Sequence, residues 1–195
     1  MKQTVNGIEY TVLTKDLRKI FSGLYGGSQH LSTKGLARFG CGAVTLNTFA
    51  AYMDGKSYVR EELIRDQNHM FRSYLLGPTT ALRFKLAAIW YYRLRGKKAR
   101  VSITHSFVGS VWGLRGMMME IKKSIDEDVP VPLIVGLKLR KGYEDNLYSH
   151  WVTVCGYTDN FQVLVSDNGR METLNLKELS GKRMFVATTR IAFSA

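Results

Sequence analysis

A chain of 195 residues is long enough for one domain with a sizeable core, and 45% hydrophobic residues with only three prolines exclude a disordered or fibrous polymer. No apolar run approaches the ~20 residues of a membrane span, and the N-terminus lacks an apolar signal region, so the expectation is a cytoplasmic protein with no membrane span. The formal net charge of +12 points to anionic surroundings or partners rather than to any particular chemistry.

The positive charge is uneven. Residues 67–119 contain nine Lys or Arg and no Asp or Glu. A surface built from them would attract nucleic acid, anionic polymers or acidic peptides. The two cysteines, Cys41 and Cys155, cannot form a disulfide framework. The four histidines and two cysteines show no close-spaced ligand pairs, so neither a metal nor another cofactor is expected.

In chain order, residues 4–5 and 8–13 flank Asn6-Gly7, the signature of a type I′ hairpin. A short helix is expected from Thr14 toward Tyr25, followed by a glycine-rich and polar loop over residues 26–40. Ala43, Leu46, Ala50 and Met53 then recur at helical spacing, so Cys41 falls in the first turn of a buried helix. Further helices are expected over 58–76 and 79–94, parted by Gly77-Pro78, and over 108–125, with a short strand at 100–104 between the last two. Beyond residue 126 the pattern turns β-branched with period two. Strands are predicted over 131–139, 151–157, 161–167, 172–176 and 183–193. Helices first and an antiparallel sheet after them make an α+β fold.

A cysteine at a loop-to-helix junction is placed for nucleophilic chemistry. The thiolate is the reactive form, and the unpaired N–H groups of a helix N-terminus favour an anion there. They can also hold an oxyanion. Gly40 and Gly42 permit close approach on both sides. His150 opens the strand that runs to Tyr157, and the chain returns over 161–167. With a turn of about two to four residues, the hairpin register sets His150 opposite residues 167–169. Asp167 or Asn168 is thereby delivered beside the imidazole, where an acceptor on one ring nitrogen aims the other at the thiol. Cys155 lies mid-strand with neither a helix start nor a loop beside it and reads as core.

Three segments resemble the C39-like branch of papain-fold cysteine peptidases. Gly40-Cys41-Gly42-Ala43-Val44-Thr45 is similar to the family's Gly-Cys-Gly-Pro-Thr, with alanine where proline is usual. Ser149-His150-Trp151-Val152-Thr153-Val154-Cys155-Gly156-Tyr157 resembles its Gly-His-Trp-Val-Val-Val-x-Gly-Tyr strand, and Val163-Leu164-Val165-Ser166-Asp167-Asn168 its apolar strand ending in Asp-Pro. The resemblance covers about half of the chain and implies a single papain-like domain over 1–195. A helical lobe at about 1–125 would pack its nucleophile helix on a β lobe at about 126–195. It further implies a Cys41–His150–Asp167 triad, a peptide or other amide substrate, and an upstream glutamine that donates to the oxyanion. Gln29 is the only upstream glutamine in the nearby loop, twelve residues before Cys41 and about twice the usual separation.

The same triad serves hydrolases and acyltransferases. A reading from another class is a catalytically inactive scaffold that binds an anionic partner. Its support is the stretch 91–100, where five cations are interleaved with Tyr91 and Tyr92 as on some nucleic-acid surfaces, although no recognised nucleic-acid motif occurs.

Overall fold

A computed structural model describes residues 1–31, 34–106, 111–136, 150–181 and 186–193. The chain begins with a hairpin, β1 (Lys2–Val5) and β2 (Ile8–Val12), paired from Val5↔Ile8. Asn6 (φ 51) and Gly7 (φ 76) both take the positive φ that a type I′ turn requires. The helix expected from Thr14 is a single turn, α1 (Leu17–Ile20), and Asp16 caps it. Thr14 is used elsewhere: its backbone N–H and hydroxyl both donate to Asp128. The polar loop contains a 3-10 turn, Gln29–Leu31, and a short helix α2 (Lys34–Phe39).

Four longer helices follow: α3 (Cys41–Asp54), α4 (Arg60–Tyr74), α5 (Ala81–Arg93) and α6 (Val111–Asp126). Strand β3 (Ala99–Ser106) separates the last two. Pro78 lies ahead of α5, and Thr80 is its cap, accepting from the Arg83 N–H. The remainder is β4 (Val131–Val135), β5 (His150–Tyr157), β6 (Gln162–Asp167), β7 (Arg170–Asn175), a short α7 (Leu176–Gly181) and β8 (Val186–Phe193). The expected strands at 131–139 and 183–193 extend in part outside the described residues.

The architecture is α+β, with one antiparallel sheet. The sheet is not confined to residues beyond 126. β3 runs along the whole of β8, and β2 pairs with the end of β5. β5 is the hub: β6 lies along one edge, while β4 and then β2 share the other.

Both faces of the central strands are covered. Val131, Leu133, Val135, Val152 and Val154 pack with Met117, Ile121 and Ile125 of α6. Ile134, Trp151, Ala187 and Ile191 pack with residues of α3, α4 and α5. Burial on both sides explains why β4 and β5 read as continuous apolar runs. Helix α3 contributes to both clusters and is buried from Gly42 through Tyr52.

Candidate active site

Cys41 is the first residue of α3 and is partly exposed, with Gly40 at the N-cap in place of a capping side chain. The first N–H groups of the helix therefore have no side-chain acceptor from the cap, and they lie next to the sulfur. The helix start is fixed from the side by Thr79. A β-carbon on Gly42 would stand 2.8 Å from the Thr79 side chain, so glycine permits this approach. Thr79 in turn accepts through its carbonyl from the Trp151 indole N–H at 2.8 Å. One contact chain thus runs from the residue after Cys41 to the residue after His150.

His150 is the first residue of β5 and is 9% exposed. Its Nε2 lies 2.7 Å from Asp167 Oδ1, and the imidazole is also hydrogen-bonded to the Cys41 side chain. With Nε2 committed to the carboxylate, Nδ1 is the ring nitrogen left for sulfur. Burial pushes the imidazole pKa down. The hydrogen bonds to Asp167 and Cys41, together with the charges of both, more than offset this and raise it to about 9.

This shift has a sign that can be tested. A pKa raised from 6.5 to about 9 stabilises the fold while the ring is protonated in both states, below pH 6.5, and that contribution fades as pH rises toward 9. The stability advantage of wild type over His150→Gln is expected to be level below pH 6.5 and to shrink by up to about 3 kcal/mol by pH 9 in urea titrations. A gap that widens with pH contradicts the assignment.

Asp167 reaches the histidine through a register correction. Tyr157 pairs with Val163 and Gly156 with Leu164, but Val154 pairs with Val165 and Thr153 with Ser166. Cys155 is the extra residue of a β-bulge. Carried on without the bulge, the register at the turn would set Asp167 opposite Thr153, on the strand face away from His150. With the bulge the next step sets Asp167 beside Val152, diagonal to His150 on the same face. Cys155 itself is buried, donates to the Leu164 carbonyl at 3.4 Å, and has its thiol pushed up to about 12 by burial.

Asp167 and Asn168 have separate tasks. Asn168 (φ 48) and Gly169 (φ 82) form the turn into β7, and Asn168 Nδ2 donates to the Asp167 Oδ1 that faces the histidine, at 2.9 Å. The acid is the direct partner of the ring, and the amide braces the acid. Asn168 Oδ1 also accepts from the Gln29 backbone N–H at 3.2 Å. Gln29 is thus tied to the acid's turn by its backbone, while its side-chain oxygen is buried with no hydrogen-bond partner among the described residues.

The segment carrying Gln29 is strapped across the site. Tyr25 N–H donates to the Gly169 carbonyl at 3.0 Å, and Gly27 N–H donates to Thr48 of α3 at 3.0 Å. Buried Gln67 of α4 brackets Ser28, its amide donating to the carbonyl and accepting from the N–H. A β-carbon at Gly26 would collide with the Ser166 hydroxyl on β6, which explains a glycine there. The adjacent pair Gly26-Gly27 is the sequence signal of this close crossing.

No protein-family model and no curated protein matches this chain. The site therefore rests on its own geometry.

His69 bonds Ser73 on α4 and packs edge-on against Tyr74. In the basic stretch 91–100, Tyr91 is 7% and Tyr92 0% exposed, so neither ring offers a face on which a base could stack.

Proposed function

We propose that this protein is a cysteine hydrolase of papain-like fold, cleaving a peptide or other amide bond with Cys41 as nucleophile, His150 as acid and base, and Asp167 as the residue that orients the ring. The observation that carries this reading is the hydrogen-bonded series Cys41–His150–Asp167, assembled from a helix start and two strands. The nucleophile helix against an antiparallel sheet, and the chain order Cys, His, Asp, support the resemblance to C39-like peptidases.

The chemistry follows from the raised imidazole. Near neutral pH His150 holds its proton, and the imidazolium lies beside the sulfur, which reacts in its thiolate form. Sulfur attacks the carbonyl carbon, and the developing oxyanion is received by the N–H groups at the start of α3 and by the Gln29 side-chain amide. The C–N bond breaks as His150 gives its proton to the leaving amine, and a Cys41 thioester remains. Water then attacks the thioester while His150 takes a proton from it. Collapse releases the carboxylic acid and restores the thiolate–imidazolium pair. An amine in place of water gives acyl transfer by the same steps.

Alkylation tests the reading directly. Iodoacetamide at pH 6 is expected to label Cys41 rapidly and to leave buried Cys155 untouched, as mapped by peptide mass spectrometry. In His150→Ala the Cys41 rate should fall by about tenfold or more. Equal rates in the two proteins would mean that the histidine does not activate the sulfur.

A further inference from the structure

Helix α5 is apolar on two sides. Phe84, Ala87, Ala88, Tyr91 and Tyr92 turn inward to the core. On the outer side Leu82, Leu86, Trp90 and Leu94 recur every fourth residue, and these four are 59–65% exposed. Large apolar side chains at this spacing form one continuous ridge along a helix. Isolated exposed leucines need no explanation, but a ridge of four, including a tryptophan, does.

The charge on the ridge itself is positive: Arg83 and Lys85 flank it on either side of the helix and Arg93 lies within it, whereas beyond its end Lys97 is paired with Asp54 at 2.7 Å. The nearest carboxylates in the sequence are outside 67–119 altogether. Arg83 is held against the carbonyls of Leu76 and Pro78, so its guanidinium is anchored at the edge of the ridge with no acid in those contacts, whereas Arg95 lies over inward-turned Tyr91.

We infer that the outer face of α5 is a docking surface for an anionic lipid membrane, with Leu82, Leu86, Trp90 and Leu94 entering the interfacial region and Arg83, Lys85 and Arg93 meeting the phosphates. A second copy of the chain is the wrong partner, because ridge-to-ridge packing would bring these cations against each other. An acidic protein would need a groove matched to a convex ridge, whereas a fluid bilayer receives one without a matched shape. Long basic side chains suit this position, since their stems lie along the apolar surface while their ends reach the headgroups. The contact is with the membrane surface: among the described residues no helix is long and apolar enough to cross a membrane. The inference does not depend on Cys41.

The test is co-sedimentation of the full chain with vesicles. Binding is expected to vesicles of phosphatidylcholine with phosphatidylglycerol and not to phosphatidylcholine alone. Leu86→Ser with Trp90→Ser leaves the charge intact and removes two exposed residues, so the fold is kept, as circular dichroism can verify. This double variant should bind the anionic vesicles at least about tenfold more weakly. Arg83→Gln with Arg93→Gln should also weaken binding, and more so at low salt. Undiminished binding of the double serine variant would reduce the effect to bulk positive charge and overturn the inference. So would failure of the wild type to bind anionic vesicles. Ridge-dependent dimerisation, or ridge-dependent binding of polyglutamate in its place, would overturn it and assign the face to a second copy or to an acidic polypeptide.

Discussion

Replacing His150 with alanine is expected to lower turnover of a peptide or amide substrate at least about 10³-fold with little change in KM. In the proposed mechanism the ring acts on the bond being made and broken, so its removal should fall on kcat. It does so at both stages, since the leaving amine needs a proton and the attacking water must lose one. Cys41→Ala should abolish turnover. Asp167→Asn should cost less than either, because the acid sits one bond away from the reacting atoms and acts by fixing which ring nitrogen faces the sulfur. Asn168→Ala should cost less again, since Asn168 only braces the Asp167 oxygen. The measurement is kcat and KM on a substrate found by mass spectrometry of a digested peptide library. A His150→Ala protein retaining turnover within tenfold of wild type would end the proposed mechanism.

Trp151→Ala is expected to cost about 3–5 kcal/mol of unfolding free energy, a large share of what a domain has. The indole is 2% exposed and stacks on Phe84 with ring centres 4.2 Å apart. It joins β5 to the start of α5 through its bond to Thr79, and Thr79 abuts the start of α3. Loss of the ring therefore opens a cavity at the point where the sheet and α3 are held together. Trp151→Phe preserves a stacked ring but leaves the Thr79 carbonyl without its donor, and should cost only about 1–3 kcal/mol. Urea midpoints at constant m separate the two. A Trp151→Ala loss under about 1 kcal/mol would mean that the seam is held elsewhere.

Much of the fold was legible because local rules agreed with tertiary demands. Asn6-Gly7 specifies its turn by positive φ alone, and the apolar spacing of Ala43, Leu46 and Ala50 marks a helix that is in fact buried all round. The less legible parts were those that depend on distant contacts. Thr14 is a good cap by itself, but Asp128, far along the chain, takes it, and Asp16 starts the helix two residues later. Helix α2 is six residues long with only Leu36 buried, too short for periodicity to register, and Leu176, read as the end of a strand, begins α7. At the site, the hairpin count already brought Asp167 or Asn168 near His150. Which of the two faces the ring depends on the bulge at Cys155, and nothing in the strand's residue types announces an unpaired position. The outer ridge of α5 was hidden for a related reason. A helix apolar on two sides looks in sequence like one that is simply buried.

The partners of Cys41 lie 109 and 126 positions further along the chain. During synthesis the sulfur leaves the ribosome long before the imidazole and carboxylate exist, and its helix can form while the strands that complete it are still unmade. The nascent chain therefore carries a thiol with no acid–base partner, and under the proposed mechanism the capacity to attack an amide arises only when the last quarter of the polypeptide has folded back. A molecule interrupted earlier, by truncation or stalled translation, would be chemically quiet.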